Sequence, residues 1–201
     1  MKESVFDPAF QTNNTDAKIL AALHALSESM RANIWVQSQA MGLSPIQIQI
    51  LTYISFHPQL SPTITSLAKE FGLTKATLSD SIRVLESKGL ISKEAHPRDS
   101  RSSYIALTEA GKTIAVEAAQ FANGLLDSLT PINKHIKANL LEGLLTFIKQ
   151  LQATDRIAPQ RMCFNCRFYS KPSVGHYCLL LNQPLGNGEL RFNCPEFQVK
   201  Y

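Results

Sequence analysis

A mainly α chain is predicted: a helix-turn-helix followed by a two-stranded hairpin, long helices on either side of it, and a small cysteine-rich module at the C-terminus. Three observations predict it. Apolar residues recur at steps of three and four through most of residues 16–151. Gly or Pro closes each of the first four periodic runs, at Gly42, Pro58, Gly72 and Gly89. The four cysteines of the chain, Cys163, Cys166, Cys178 and Cys194, all fall in the tail that follows.

Composition narrows the class. A chain of 201 residues, 44% hydrophobic and 18% charged, can bury one sizeable core with a small appendage, and neither disorder nor collagen-like repetition fits. A net charge of +4 is compatible with a nucleic-acid partner. No apolar run approaches the roughly 20 residues of a membrane span. Met1 to Asn14 lacks the apolar stretch of a secretory signal, so the expected compartment is the cytoplasm, where thiols stay reduced.

The elements follow in order. Residues 1–15 show no periodicity and read as a loose arm. Leu20, Leu23, Ser27, Met30 and Ile34 then define a helix from Asp16 to about Met41, closed by Gly42. Ser44 is a natural N-cap, Pro45 fits the first helical position and Gln47 completes a capping box, so a second helix runs to about His57. A third follows Thr63, and a fourth is capped by Thr74, with Leu78, Ile82 and Leu85 on its inner face. Strands are expected at Leu90–Ala95 and Ser102–Leu107, around the polar tip 96–101. Thr108-Glu109 opens a long helix to about Leu129. Thr130-Pro131 opens another, through Leu151, striped by Ile132, Ile136, Leu140, Leu144, Ile148 and Leu151, with Leu141 and Leu145 widening the stripe. So broad a face must bury against the domain's own helices or a second subunit. The resulting division is an arm (1–15), a helical domain (16–151), a polar linker (152–162) and a cysteine module (163–201).

Helix, tight turn, helix and hairpin over residues 63–107 form a winged helix-turn-helix, whose second helix enters the major groove of DNA. With the apolar positions turned inward, Lys75, Thr77, Ser79 and Arg83 lie on or near the outer face. Their hydroxyls and basic ends suit base and phosphate contacts. At the hairpin tip Arg98 and Arg101 can reach a minor groove, and Asp99 can hold a guanidinium in a fixed fork.

At these residues the chain resembles the MarR family of winged-helix transcription regulators. The matching text includes Leu43-Ser44-Pro45, Leu67-Ala68-Lys69-Glu70-Phe71-Gly72-Leu73 and Val84-Leu85-Glu86-Ser87-Lys88-Gly89-Leu90-Ile91. It continues through Arg98-Asp99-Ser100-Arg101 and Leu107-Thr108-Glu109-Ala110-Gly111. The resemblance spans roughly residues 16–151. It implies a homodimeric repressor joined through the first and last helices, a near-palindromic double-stranded DNA operator, and a small-molecule effector that acts by changing how the two recognition helices are spaced. By position it makes Thr74 to Lys88 the recognition helix and Arg98 to Arg101 the wing tip. Asp80 departs from the family's usual basic residue; a carboxylate there can accept from cytosine or pair with a nearby cation.

The tail reads Cys-x-x-Cys, then eleven residues, Cys, then fifteen, Cys. Thiolates are soft ligands suited to iron–sulfur clusters or zinc, and a metal would staple a unit too small for its own core. Phe164, Phe168, Tyr169, Tyr177, Phe192 and Phe197 would jacket a cluster. The stretch from Cys163 to Tyr169, with Cys178 and Cys194 beyond it, is similar to the ligand pattern of high-potential iron–sulfur proteins. The expectation is a [4Fe–4S] cluster held by Cys163, Cys166, Cys178 and Cys194, making the protein a redox or oxygen sensor. The alternative is structural zinc in a protein-docking module. His176 is expected behind the ligands or on the surface. Trp35 and Met30 are expected in core, dimer interface or effector cleft. No residue is assigned a catalytic role, since no oriented His/acid partner accompanies the cysteines.

Overall fold

The computed structural model describes residues 4–95 and 101–200. It divides into two compact units: residues 1–67 with 75–127, and residues 68–74 with 128–201.

The first unit carries one short element within residues 4–14. Pro8–Gln11 form a short helix, α1, capped by the Asp7 side chain, which accepts from the Ala9 N–H. Helix α2 (Thr15–Met41) is capped by Asn14 and ends at Gly42, whose φ of 60° is the left-handed conformation that suits glycine. Helix α3 (Pro45–Phe56) starts with the capping box: the Gln47 N–H donates to Ser44 Oγ, and the Ser44 N–H donates to Gln47 Oε1 at 2.9 Å. Helix α4 spans Ile64–Glu70 and α5 spans Lys75–Ser87. Strands β1 (Ile91–Ala95) and β2 (Ser103–Leu107) pair antiparallel, with Ile91 opposite Leu107 and Ala95 opposite Ser103. Helix α3 packs against α5, β2 and α6 (Glu109–Ala118). Ile48, Ile50, Leu51, Leu78, Ile82, Leu85, Ile105 and Ala115 are fully buried there.

Thr108 ties the wing to α6. Its hydroxyl donates to the Gly89 carbonyl at 2.7 Å, its N–H donates to Leu90 O, and its oxygen caps the Gly111 N–H. A Cβ on Gly111 would lie 1.8 Å from the Leu90 carbonyl oxygen, so that approach excludes any side chain. The long helix expected from Glu109 to Leu129 is instead interrupted: a 3₁₀ turn at Ala119–Ala122 separates α6 from α7 (Asn123–Leu129). Asn123-Gly124 is a weak helix-forming pair at the point where α7 begins.

The second unit is built on α8 (Lys134–Ala153), which is capped by Asn133 rather than opened by Thr130-Pro131. The tail carries a three-stranded antiparallel sheet: β3 (Tyr169–Ser170), β4 (His176–Cys178) and β5 (Gln183–Leu185), with β4 in the middle. A 3₁₀ turn at Cys163–Asn165 and another at Asn187–Glu189 both pack on α8. Here the expected fold class is corrected. The tail is not a cysteine module folded around a metal. Its core is apolar and borrowed from the helix: Leu145, Met162, Cys163, Leu185 and Leu190 are buried together, with Leu141, Ile148, Phe164 and Tyr169 against them. The residues that widened the stripe on α8, Leu141 and Leu145, thus cover the tail, and no inorganic staple is required to supply a core.

Candidate functional site

Helix α5 turns Leu78, Ser81, Ile82 and Leu85 into the core of its unit. Thr74, which precedes the helix, and Lys75, Thr77 and Arg83 on it are exposed, while Ser79 is half-buried. The outer face is therefore a row of hydroxyls with a cation near each end. Arg83 Nη1 lies 2.9 Å from Asp80 Oδ1, so the acidic residue on this helix pairs with its neighbour one turn on. Both side chains are exposed, and such a pair contributes only about 0–1 kcal/mol, so Arg83 can exchange its partner for a phosphate or a base at little cost. Arg101 is exposed at the start of the returning segment of the hairpin. Arg98 and Asp99, the remaining expected wing contacts, lie outside the described residues.

The base of the hairpin is held to the start of α4. The Ile105 N–H donates to Pro62 O at 2.8 Å, and Thr63 bridges Tyr104. Thr63 and Ser66 cap each other: the Ser66 N–H donates to Thr63 Oγ1 and the Thr63 N–H to Ser66 Oγ. Trp35 is exposed and lines an open cleft of about 330 Å³ with Ser38, Gln39, Gly42 and Leu43.

The cysteines need a correction. All four line one cavity in the second unit, with Phe168, Tyr169, Tyr177, Leu180, Leu181 and Leu185. They are free thiols. They do not converge as ligands: among the described residues no group of three or more His, Cys, Asp or Glu side chains is arranged to hold a metal ion. Burial pushes the Cys163 thiol up, only partly offset by the Arg191 N–H that donates to its sulfur at 3.2 Å, and the nearby Cys194, Cys166 and Cys178 raise it further. Burial thus favours the neutral thiol. Cys163, Cys166, Cys178 and Cys194 therefore form neither the expected iron–sulfur centre nor the zinc alternative, and the sensor built on them falls with it.

Sequence reasoning missed what fastens the tail. His176 is buried; its Nε2 lies 3.2 Å from Glu142 Oε1 of α8 and its Nδ1 is 2.7 Å from the Tyr169 hydroxyl. Glu142 also accepts from the Asn187 amide. Phe164 packs beside both the Tyr169 and His176 rings. Burial is the main cause that pushes the Tyr169 phenol up, with Cys163 and Glu142 adding to it. No spacing rule points to these residues, because Glu142 and His176 are far apart in sequence and meet only after the tail has folded back.

Comparison with known proteins places this geometry. The model of the MarR family matches residues 41–102, the stretch from the end of α2 to the start of β2. An uncharacterized HTH-type transcriptional regulator, YdgJ of Bacillus subtilis (strain 168), is 22% identical over 116 residues, 56% of this chain and 70% of its own. Among solved structures, S. aureus MepR in its DNA-binding conformation aligns with a TM-score of 0.59 at 21% identity, covering 66% of this chain and 98% of MepR. The S. aureus MepR–DNA complex aligns at 0.57 and 21%, covering 65% and 96%. A MarR transcriptional regulator from Methanosarcina mazei Go1 aligns at 0.56 and 19%, covering 67% and 97%. The chain shares with these proteins the winged-helix fold.

Proposed function

We propose that the chain is a double-stranded DNA-binding transcription regulator that works as a homodimer in the cytoplasm, a binding protein rather than an enzyme. The observation that carries this is the two-sidedness of α5, which buries Leu78, Ile82 and Leu85 and offers Thr74, Lys75, Thr77 and Arg83 outward beside a hairpin ending in Arg101. A helix so displayed fits the major groove, and a basic hairpin fits the adjoining minor groove. The likeness to MepR, solved in complex with DNA, supports the same use. Ser79, Arg98 and Asp99 complete the proposed contact set. Residues 16–151 carry groove reading and pairing of subunits.

Pairing is supported by unburied apolar surface on the helices that would meet a second copy. Leu20, Leu26, Met30, Trp35 and Val36 are exposed on α2, and Ile136, Leu140 and Phe147 on α8. A dimer presents two recognition helices to half-sites about 34 Å apart, so the operator is near-palindromic. No helix among the described residues is long and apolar enough to cross a membrane. The test is selection from a randomised duplex pool, together with light scattering. An enriched inverted repeat bound by a particle of twice the chain mass is expected. Arg83→Ala and Arg101→Ala each weaken binding, with Arg101→Ala lowering the slope of log K against log salt by about one unit. No enrichment over an unrelated protein of equal charge removes the assignment.

A further inference from the structure

The four thiols have no part in groove reading. They are the only cysteines of the chain, and the fold brings all of them to one cavity although they spread from position 163 to position 194. The other walls are mostly apolar, with Phe168, Tyr177, Leu180, Leu181 and Leu185 among them. Two backbone hydrogen bonds set Cys163 and Cys194 on neighbouring segments. The Cys163 N–H donates to Arg191 O at 3.1 Å and the Cys194 N–H donates to Arg161 O at 3.2 Å, on either side of the Met162–Phe192 bridge. The Arg191 N–H in turn donates to the Cys163 sulfur at 3.2 Å, so that sulfur faces the segment that carries Cys194. Of the three other thiols, Cys194 acts most strongly on Cys163, ahead of Cys166 and Cys178. The two differ in access: Cys163 is buried and Cys194 half-buried. Apolar walls disfavour a thiolate, whereas a disulfide is neutral and needs no hydrogen-bond partner.

We propose that Cys194 and Cys163 are a site of reversible oxidation, at which a low-molecular-weight disulfide joins the two into a disulfide of the tail. The half-buried Cys194 reacts first. As the thiolate it attacks one sulfur of the small disulfide, a mixed disulfide forms, and one small thiolate leaves. The Cys163 thiolate, to which the Arg191 N–H donates, then attacks the Cys194 sulfur. The protein disulfide forms and the second small thiolate leaves. The protons lost by the two cysteines go to the two leaving thiolates, and the electrons lost by the protein pair reduce the small disulfide. The link ties the 3₁₀ turn at Cys163–Asn165 to the segment after Leu190, and Cys166 and Cys178 stay as thiols.

The experiment incubates the full chain, reduced and then freed of reductant, with oxidised glutathione as the probe. The reaction is quenched with an alkylating reagent and mapped by digestion and mass spectrometry. Two of the four free thiols are expected to disappear, the product retains no glutathione, and Cys163 is joined to Cys194 within one chain. Cys163→Ala is expected to stop at a glutathione adduct on Cys194, and Cys194→Ala to lose most of the reaction. The same incubation of wild type in strong denaturant separates a built pair from four reactive thiols on one short tail: there the pairing is expected to spread over several combinations. Lasting glutathione adducts on the native wild type, a different pair, cross-links between chains, or the same mixture of pairs with and without denaturant each overturn the site.

Discussion

The two units of this chain bury their apolar residues by different means. The first stacks regular elements: α3, α5, α6 and the hairpin each present a periodic face, and their fully buried residues are nearly all aliphatic. The second has one long helix and a tail of two- and three-residue strands. Its core is smaller and mixed with thiol and aromatic groups, and a buried His176, hydrogen-bonded to Tyr169 and 3.2 Å from Glu142 Oε1, fastens the tail to α8. Regular periodicity lets many residues share the work of folding. An irregular tail depends on a few contacts between residues distant in sequence.

That contrast is tested most severely by truncating one large aliphatic residue in each core. Leu51→Ala and Leu145→Ala both empty a fully buried site and are expected to cost about 2–5 kcal/mol. The losses should differ in where they appear. Hydrogen exchange should show Leu51→Ala loosening α3, α5 and the hairpin, and Leu145→Ala exposing Met162, Leu185 and Leu190 in the tail. Equal loss of protection in both units from either substitution would show that they share one core.

Close approach of backbone gives the next effect. Gly111→Ala forces a methyl group against the Leu90 carbonyl, and the backbone has to shift to admit it. Destabilisation of about 1–3 kcal/mol is expected, read as a lower denaturation midpoint with an unchanged m-value. In the tail the comparable break is His176→Leu, which leaves the Tyr169 hydroxyl and part of Glu142 without a partner and should cost about 1–3 kcal/mol. Glu142→Gln should cost less, because Glu142 is a third exposed and the amide keeps an oxygen beside His176. A His176→Leu protein as stable as wild type would show that the apolar core alone holds the tail.

How much of this was legible in the sequence follows the same divide. Ser44-Pro45 with Gln47, the closing Gly42 and the Leu78–Ile82–Leu85 step are local signals, and the structure places α3, α2 and α5 where they point. The break between α6 and α7 was not legible, since the apolar residues run on through it without a Pro. The tail misled for a physical reason. Four cysteines in a short segment suggest a metal when the segment is taken alone, because so few residues cannot build a core. In the sequence Leu141 and Leu145 belong to one wide stripe on α8, and nothing local separates the side that meets the tail from the side bearing Ile136 and Leu140. Once that face is supplied, the thiols are wall residues of an apolar cavity.

The smallest expected effect is one of pH, and it belongs to the tail. Burial raises the Cys163 thiol above its ordinary value of 9.0, so the folded state keeps a proton that the unfolded chain gives up. The sign follows from linkage. Below about pH 9 both states are protonated, and the neutral thiol's contribution to stability is fully present. As pH rises past the unfolded value toward the raised folded one, the unfolded state releases its proton first and that contribution is lost. Tyr169, also raised by burial from 10.0, extends the same loss to higher pH. Unfolding of the tail, followed by exchange or by Tyr fluorescence, should therefore become easier as pH rises above about 9. Cys163→Ala should show a shallower alkaline decline than wild type, whatever its stability at neutral pH. Parallel declines in the two proteins would place the thiol in contact with solvent and reopen the question of what its neighbours do.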